Sequence, residues 1–179
     1  KSELDLPMKD AEKIRSRPPY LTILLILFCF IYFTYAWPGF WNTNEYSRIF
    51  LTRSLVDHQS FAIDKVIITH NTQDKSYFDG HYYTNKAPAS SLIAVPAYLL
   101  IRLGEIYSGL TLSEEMVLYL IKTICLSLPS ALFLLLLFKF WNYISMNYHF
   151  RRAGLIVFSL GTMIWPYSSM YYSHQLAGM

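Results

Sequence analysis

The sequence predicts an all-α integral membrane fold with about three full spans, juxtamembrane helices and a small β-hairpin. Hydrophobic residues make up 54% of the chain and charged residues 15%, and the apolar residues form long runs instead of alternating with polar ones. Three runs, 20–37, 113–138 and 153–166, are predicted as transmembrane helices. The chain starts at Lys1 and stops at Met179 as a new segment begins, so we expect an N-terminal fragment of a longer polytopic protein.

The charge and the cysteines argue against two classes of site. The net charge is +3, and the basic residues lie mainly at the ends of apolar runs, where they orient spans. A nucleic-acid partner is therefore not expected. Cys29 and Cys125 both lie inside apolar runs, which predicts small buried hydrophobes rather than a disulfide or a metal pair.

The distribution of basic residues predicts the topology. Residues 1–19 are predicted to be cytoplasmic because they are basic immediately before the first span, at Lys1, Lys9, Lys13, Arg15 and Arg17. The span at 20–37 then crosses outward. The segment 38–112 follows as a long external loop.

The segment 87–103 decides the rest of the topology. It is apolar but short for a span. If it crossed the membrane, the basic loop 139–152 would be external; if it lies in the outer interface, that loop is cytoplasmic, as the positive-inside rule prefers. We adopt the second interpretation. The span at 113–138 then returns inward, 153–166 crosses outward, and 167–179 forms a second external loop and the start of the next helix.

The first external loop carries its own local structure signals. Asn42 followed by Glu45 resembles a capping box and predicts a surface helix over 44–57. Asp79-Gly80 between two short tyrosine-containing runs predicts a hairpin over 76–84. The hairpin would bring the chain back to the membrane face.

Two stretches of this loop resemble a known family. They read Asn44-Glu45 and Asp79-Gly80-His81-Tyr82-Tyr83-Thr84-Asn85-Lys86-Ala87-Pro88. Together with 166–174, they resemble the GT-C membrane glycosyltransferases, in particular the bacterial relatives of protein O-mannosyltransferases and lipid A aminoarabinose transferases. The resemblance covers most of the chain. The sequence departs from the family pattern at Asn44, Asn85 and His174, where acids occur in family members.

The resemblance implies transfer of a sugar from a polyprenyl-phosphate donor, with inversion at the anomeric carbon. The acceptor would be a lipid, glycan or protein of the cell envelope. The site would lie on the external face of the bacterial cytoplasmic membrane, in contact with membrane lipids. The resemblance is compatible with a divalent cation as a cofactor but does not require one.

Such a transfer needs a cation at the leaving phosphate and a base or orienting group for the acceptor. Lys86, Arg48 and Lys122 are predicted to bind the donor phosphate. Glu45, with Asn44 beside it, is the predicted catalytic base. His174 is predicted to orient the acceptor or to ligate a metal.

Each of these residues also has a structural interpretation. Glu45 could complete the helix cap, Arg48 could pair with Glu45 one turn away, and Lys86 and Lys122 could extend to the interface. A histidine beside tyrosines, as at His174, is typical of an interfacial side chain. At the level of function, the alternatives are a lipid-linked substrate transporter or flippase and a non-catalytic membrane assembly subunit.

Overall fold

The computed structural model describes residues 43–68, 71–144 and 146–172. These residues are mostly helical, with one two-stranded sheet among them. The predictions for 1–19, for the span at 20–37 and for His174 lie outside the described residues. The described elements are α1 Thr43–His58, α2 Asp64–Ile67, β1 Lys75–Phe78, β2 His81–Thr84, α3 Ala89–Ser108, α4 Glu114–Lys122, a π-helical segment Thr123–Ser127, α5 Leu128–Tyr143, α6 Tyr148–Leu160 and α7 Ile164–Ser169.

The longest helix joins α4, the π-helical segment and α5 into 30 continuous residues, Glu114–Tyr143. Ser113 caps its start, because the Ser113 Oγ accepts a hydrogen bond from the Met116 N–H at 3.3 Å. By length and composition this helix could cross a membrane. It extends beyond the predicted span of 113–138.

Pro129 explains the π-helical segment inside this long helix. Proline has no N–H to donate, and its ring clashes with the carbonyl four residues earlier in a regular α-helix. One extra residue in the preceding turn relieves this conflict, and the Leu128 N–H donates to the Thr123 carbonyl, five residues back. Lys122 is the last residue before this widened turn.

The α3 helix, with 20 residues, is the second described helix that is long and apolar enough to span a membrane. The sequence predicted an interfacial helix at 87–103, which is shorter. The α3 helix ends where Gly109 adopts a left-handed conformation, at φ +69°, and its N–H donates to the Glu105 carbonyl.

Helices α1, α3 and α4 pack side by side. Contacts of Thr52 with Ser91 and of Asp57 with Tyr98 show that α1 and α3 run parallel. Two ion pairs, Arg53–Glu114 and Glu45–Lys122, show that α4 runs antiparallel to α1. Their shared core is apolar and extends into the π-helical segment and to one residue beyond α7. It contains Ile49, Ala94, Ala97, Tyr98, Ile101, Leu118, Ile121, Cys125, Leu126 and Tyr171.

The C-terminal part of the described chain folds back along α5. Leu134 and Leu155 form its buried centre, and Gly154 lets Trp141 approach, since a Cβ there would lie 3.3 Å from the indole ring. The connection between α5 and α6 is shorter than the predicted basic loop at 139–152, because α5 continues to Tyr143 and α6 begins at Tyr148.

The predicted single helix at 153–166 is also interrupted. It is divided between α6 and α7, with the break at 161–163. The physical reason is Pro166, whose ring would clash with the carbonyl of Thr162 in a continuous helix. Pro166 lies in the first turn of α7, where backbone N–H groups have no hydrogen-bond partner within the helix. The lack of an N–H at Pro166 therefore removes no helical hydrogen bond.

The predicted hairpin is present. Strands β1 and β2 pair antiparallel, with Lys75 opposite Thr84, and the turn residues Asp79 and Gly80 have positive φ angles of 47° and 84°. Asp64 anchors the hairpin to α2, because its Oδ1 accepts the Tyr82 N–H at 2.9 Å. The strand register therefore carries the chain after Thr84 towards the start of α1.

Candidate functional site

A buried ion pair lies where α1 meets α4. The Glu45 Oε1 lies 3.0 Å from the Lys122 Nζ, and both side chains are 0% exposed. The same carboxylate oxygen accepts the backbone N–H of Tyr171 at 2.6 Å. Buried charges are tolerated when they are paired and hydrogen-bonded, and this pair meets both conditions. It joins three separate parts of the chain.

Tyr171 adds α3 to this cluster. Its hydroxyl donates to the Ser90 carbonyl at 2.6 Å, in the first turn of α3. Burial raises the pKa of the Tyr171 hydroxyl well above its usual range, so this hydroxyl is protonated and acts as a donor. Nearby, the Ser127 Oγ donates to the Ser168 carbonyl at 3.2 Å and ties the π-helical segment to α7.

Arg48 lies one turn after Glu45 and is 5% exposed. Its Nη1 donates to the Asn44 carbonyl at 3.4 Å. Burial lowers the pKa of Arg48. Electrostatic interactions act in the opposite direction and raise it; they come from Tyr171, Tyr172, Asp74 and Glu45. Arg48 is thus a cation near the site whose side chain solvent barely reaches.

A second, accessible ion pair lies at the other side of α1. The Lys86 Nζ is 3.2 Å from the Asp74 Oδ1, and the two side chains are 25% and 23% exposed. Asp74 is held against the start of α1, because its Oδ2 accepts the Thr43 hydroxyl at 3.1 Å and its carbonyl accepts the Ser47 hydroxyl at 2.6 Å. The structure therefore places Lys86 beside the first turn of α1.

Glu45 and Lys86, predicted as the catalytic base and a donor-phosphate ligand of one site, have different ion-pair partners in the described conformation, Lys122 and Asp74 respectively. The helix period gives the reason. Residues two apart on an α-helix point about 200° apart. Thr43 and Ser47 face the hairpin, so Glu45, between them, faces α4.

Asp74 is the residue of this site that the sequence analysis missed. A signal for it exists in the hairpin register. The Asp-Gly turn pairs Lys75 with Thr84, so the residue before Lys75 must lie beside the residues that follow Thr84. An acid at 74 and a lysine at 86 are therefore neighbours across the open end of the hairpin.

A third polar cluster lies at the opposite end of α1, around a small cavity. Arg102 pairs with Asp57 at 3.3 Å and with Glu105 at 2.6 Å, and Arg53 pairs with Glu114 at 3.0 Å. The cavity has a volume of about 90 Å³. The charges around it are mutually paired, which indicates a cluster that holds helix ends together.

Metal ligation finds no support in the described ranges. Across 43–68, 71–144 and 146–172, no three His, Cys, Asp or Glu side chains are grouped closely enough to hold a metal ion. His174, the residue predicted to ligate a metal or orient the acceptor, lies outside these ranges. The divalent cation stays a prediction.

Comparisons with known proteins found no matching family model, curated protein or solved structure. The resemblance to the GT-C transferases stays a prediction from the residues that carry it.

Proposed function

We propose that this chain belongs to a glycosyltransferase of the bacterial cytoplasmic membrane, which moves a sugar from a polyprenyl-phosphate donor to a lipid, glycan or protein acceptor. One observation carries the proposal: Lys86 is a solvent-reachable cation held by the hairpin against the first turn of α1. A flexible ammonium group suits a phosphate that arrives on a lipid and leaves with additional negative charge.

The buried residues take supporting roles in this proposal. Arg48 strengthens the positive field at the phosphate without contacting it, since its side chain is buried and interacts electrostatically with Asp74. Glu45 and Lys122 are 0% exposed, so they do not meet substrate in this conformation. We assign this pair the task of holding α1, and with it the Lys86 site, against the long helix.

The length of the long helix suggests where the lipid lies. Thirty residues of α-helix extend about 45 Å, whereas the hydrocarbon layer is about 30 Å thick. From 123 to 143 the single charged side chain is Lys139. Large apolar residues at every fourth position of this part are exposed, as on a lipid-facing surface: Leu128, Leu132, Leu136 and Phe140.

In this arrangement α1, α3 and α4 form a cap on the external surface. The cap carries the ion pairs, and the site lies where the cap meets the membrane helices.

The alternative arrangement is that α3 itself crosses the membrane. Replacing Thr111 and Met146 singly by cysteine, in a background without Cys29 and Cys125, separates the two arrangements. We expect a membrane-impermeant thiol reagent to label position 111 from outside and position 146 from the cytoplasm; the reverse pattern would mean that α3 spans.

Transfer activity tests the function directly. Full-length protein is incubated with labelled polyprenyl-phosphate sugars and a membrane extract as the source of acceptor, and products are followed over time. We expect Lys86→Gln to lose donor binding and transfer together. Lys75→Gln is the matched control, because Lys75 is a half-buried lysine of the same hairpin that contacts Asn71 and the Tyr82 ring. Wild-type turnover in Lys86→Gln would refute the assignment.

One observation favours a transporter as the second candidate. The π-helical segment before Pro129 widens one turn of the longest apolar helix next to a buried ion pair. Interrupted helices beside buried charges also occur in transporters. The same incubation in vesicles distinguishes the two, because a transporter would move the lipid-linked sugar across the bilayer and leave its glycosyl bond intact.

A further inference from the structure

Asp74 differs from Glu45 in the property that a catalytic carboxylate needs, which is access. Its side chain is 23% exposed, whereas Glu45 is 0% exposed. Its two oxygens also have different partners. The Oδ2 accepts the Thr43 hydroxyl at 3.1 Å, and the Oδ1 pairs with the Lys86 ammonium at 3.2 Å.

We propose that Asp74 is the catalytic base of the transfer, and that the donor phosphate makes it available by taking Lys86 away from it. This inference rests on the proposed function. In the described conformation Lys86 and Asp74 neutralise each other. A phosphate that binds Lys86 replaces Asp74 as its counterion, and the Oδ1 of Asp74 then becomes free to accept a proton.

The surroundings of Asp74 keep it in place when Lys86 leaves. The Thr43 hydroxyl still holds the Oδ2, the Ser47 hydroxyl still holds the Asp74 carbonyl, and the Asp74 N–H donates to the Thr72 Oγ1 at 3.2 Å. These three bonds do not involve Lys86. The freed oxygen is therefore presented from a positioned carboxylate, which is what general base catalysis requires.

The proposed step balances as follows. The acceptor hydroxyl oxygen forms a bond to the anomeric carbon while the bond from that carbon to the phosphate oxygen breaks. The hydroxyl proton moves to the Asp74 Oδ1, and the bonding electron pair leaves with polyprenyl phosphate, whose charge Lys86 compensates. Inversion needs the acceptor and the phosphate on opposite sides of the sugar, and the four-carbon stem of Lys86 allows its ammonium to follow the phosphate away from Asp74.

Asp74→Asn separates this role from a structural one. Asparagine keeps an oxygen for the Thr43 hydroxyl but neither takes a proton nor holds Lys86 as a counterion. We expect transfer in the full-length protein to fall by about 100-fold or more. Binding of vesicles that contain polyprenyl phosphate should instead stay equal or tighten, because Lys86 has lost a competing anion. Asp79→Asn is the matched control: Asp79 is in the hairpin turn at φ 47°, which asparagine tolerates, and both readouts should stay at the wild-type level.

Each outcome decides between the roles. Normal turnover in Asp74→Asn overturns the proposal, and so does a parallel loss of transfer and vesicle binding, which would mean that Asp74 is structural. Residual activity in Asp74→Asn should lose the acidic limb of the pH dependence of kcat/KM; a retained limb would identify another base. Absence of transfer by the wild-type protein would overturn the proposed function and this role with it, whereas transfer retained in Asp74→Asn overturns this role alone.

Discussion

Lys122→Met tests whether the buried ion pair holds α1 against the long helix. Methionine is similar in length to lysine but carries no charge, so Glu45 would remain 0% exposed without its partner at 3.0 Å. Removing one member of a buried pair costs about 3–5 kcal/mol, because the other charge stays buried and uncompensated. For a chain of about 200 residues this corresponds to a fall in the unfolding temperature on the order of 10 °C, and we expect a smaller fall in the same direction for a longer full-length protein.

The decisive measurement is a double-mutant cycle with Glu45→Gln. Glutamine removes the charge but keeps an oxygen for the Tyr171 N–H, which now donates to Glu45 at 2.6 Å. The double variant contains no unpaired charge. We expect it to be more stable than Lys122→Met alone, with a coupling energy of at least about 2 kcal/mol.

The assay is thermal unfolding of the detergent-solubilised full-length protein, followed by intrinsic tryptophan fluorescence. Lys139→Met is the matched control, because Lys139 is an exposed lysine on the same long helix. Its unfolding temperature should stay close to that of the wild type. The reasoning is refuted if Lys122→Met unfolds at the same temperature as the control variant. It is also refuted if the stability losses of the two single variants simply add in the double variant.

The remaining predictions concern Tyr171 and Asp64. Tyr171→Phe should cost about 1–3 kcal/mol in the same assay, because the Ser90 carbonyl loses its buried donor, whereas Tyr107→Phe, at a side chain 88% exposed, should have no effect. The Tyr82 N–H lowers the pKa of Asp64, with a further contribution from His81. The stability that Asp64 contributes by holding the hairpin is therefore fully present above the ordinary carboxylate pKa of about 3.9. It is lost as the pH falls through the lower pKa that Asp64 has in the folded state. Hydrogen exchange of the Tyr82 amide should accelerate in acid beyond its intrinsic rate; the same acid dependence in Asp64→Asn would contradict this.

Local sequence signals were sufficient for several elements. Asn42 with Glu45 predicted a helix over 44–57, and Asp79-Gly80 predicted the hairpin; a helix over Thr43–His58 and the hairpin are both present. Such features depend on backbone conformations and hydrogen bonds within a few residues, so no distant contact is needed to specify them. Basic residues near 139–152 predicted a longer loop than the connection between α5 and α6, because arginine and lysine are compatible with helix ends as well as with loops.

The sequence alone thus determined the long apolar helix that follows Ser113 and the hairpin turn. Tertiary structure decided which charges meet. Glu45 pairs with Lys122, 77 positions away along the chain, and Lys86 pairs with Asp74 rather than with Glu45. Ion pairs of this kind depend on which face of α1 each side chain occupies and on the packing of α4 and the hairpin against opposite faces, and spacing along the chain does not encode that packing.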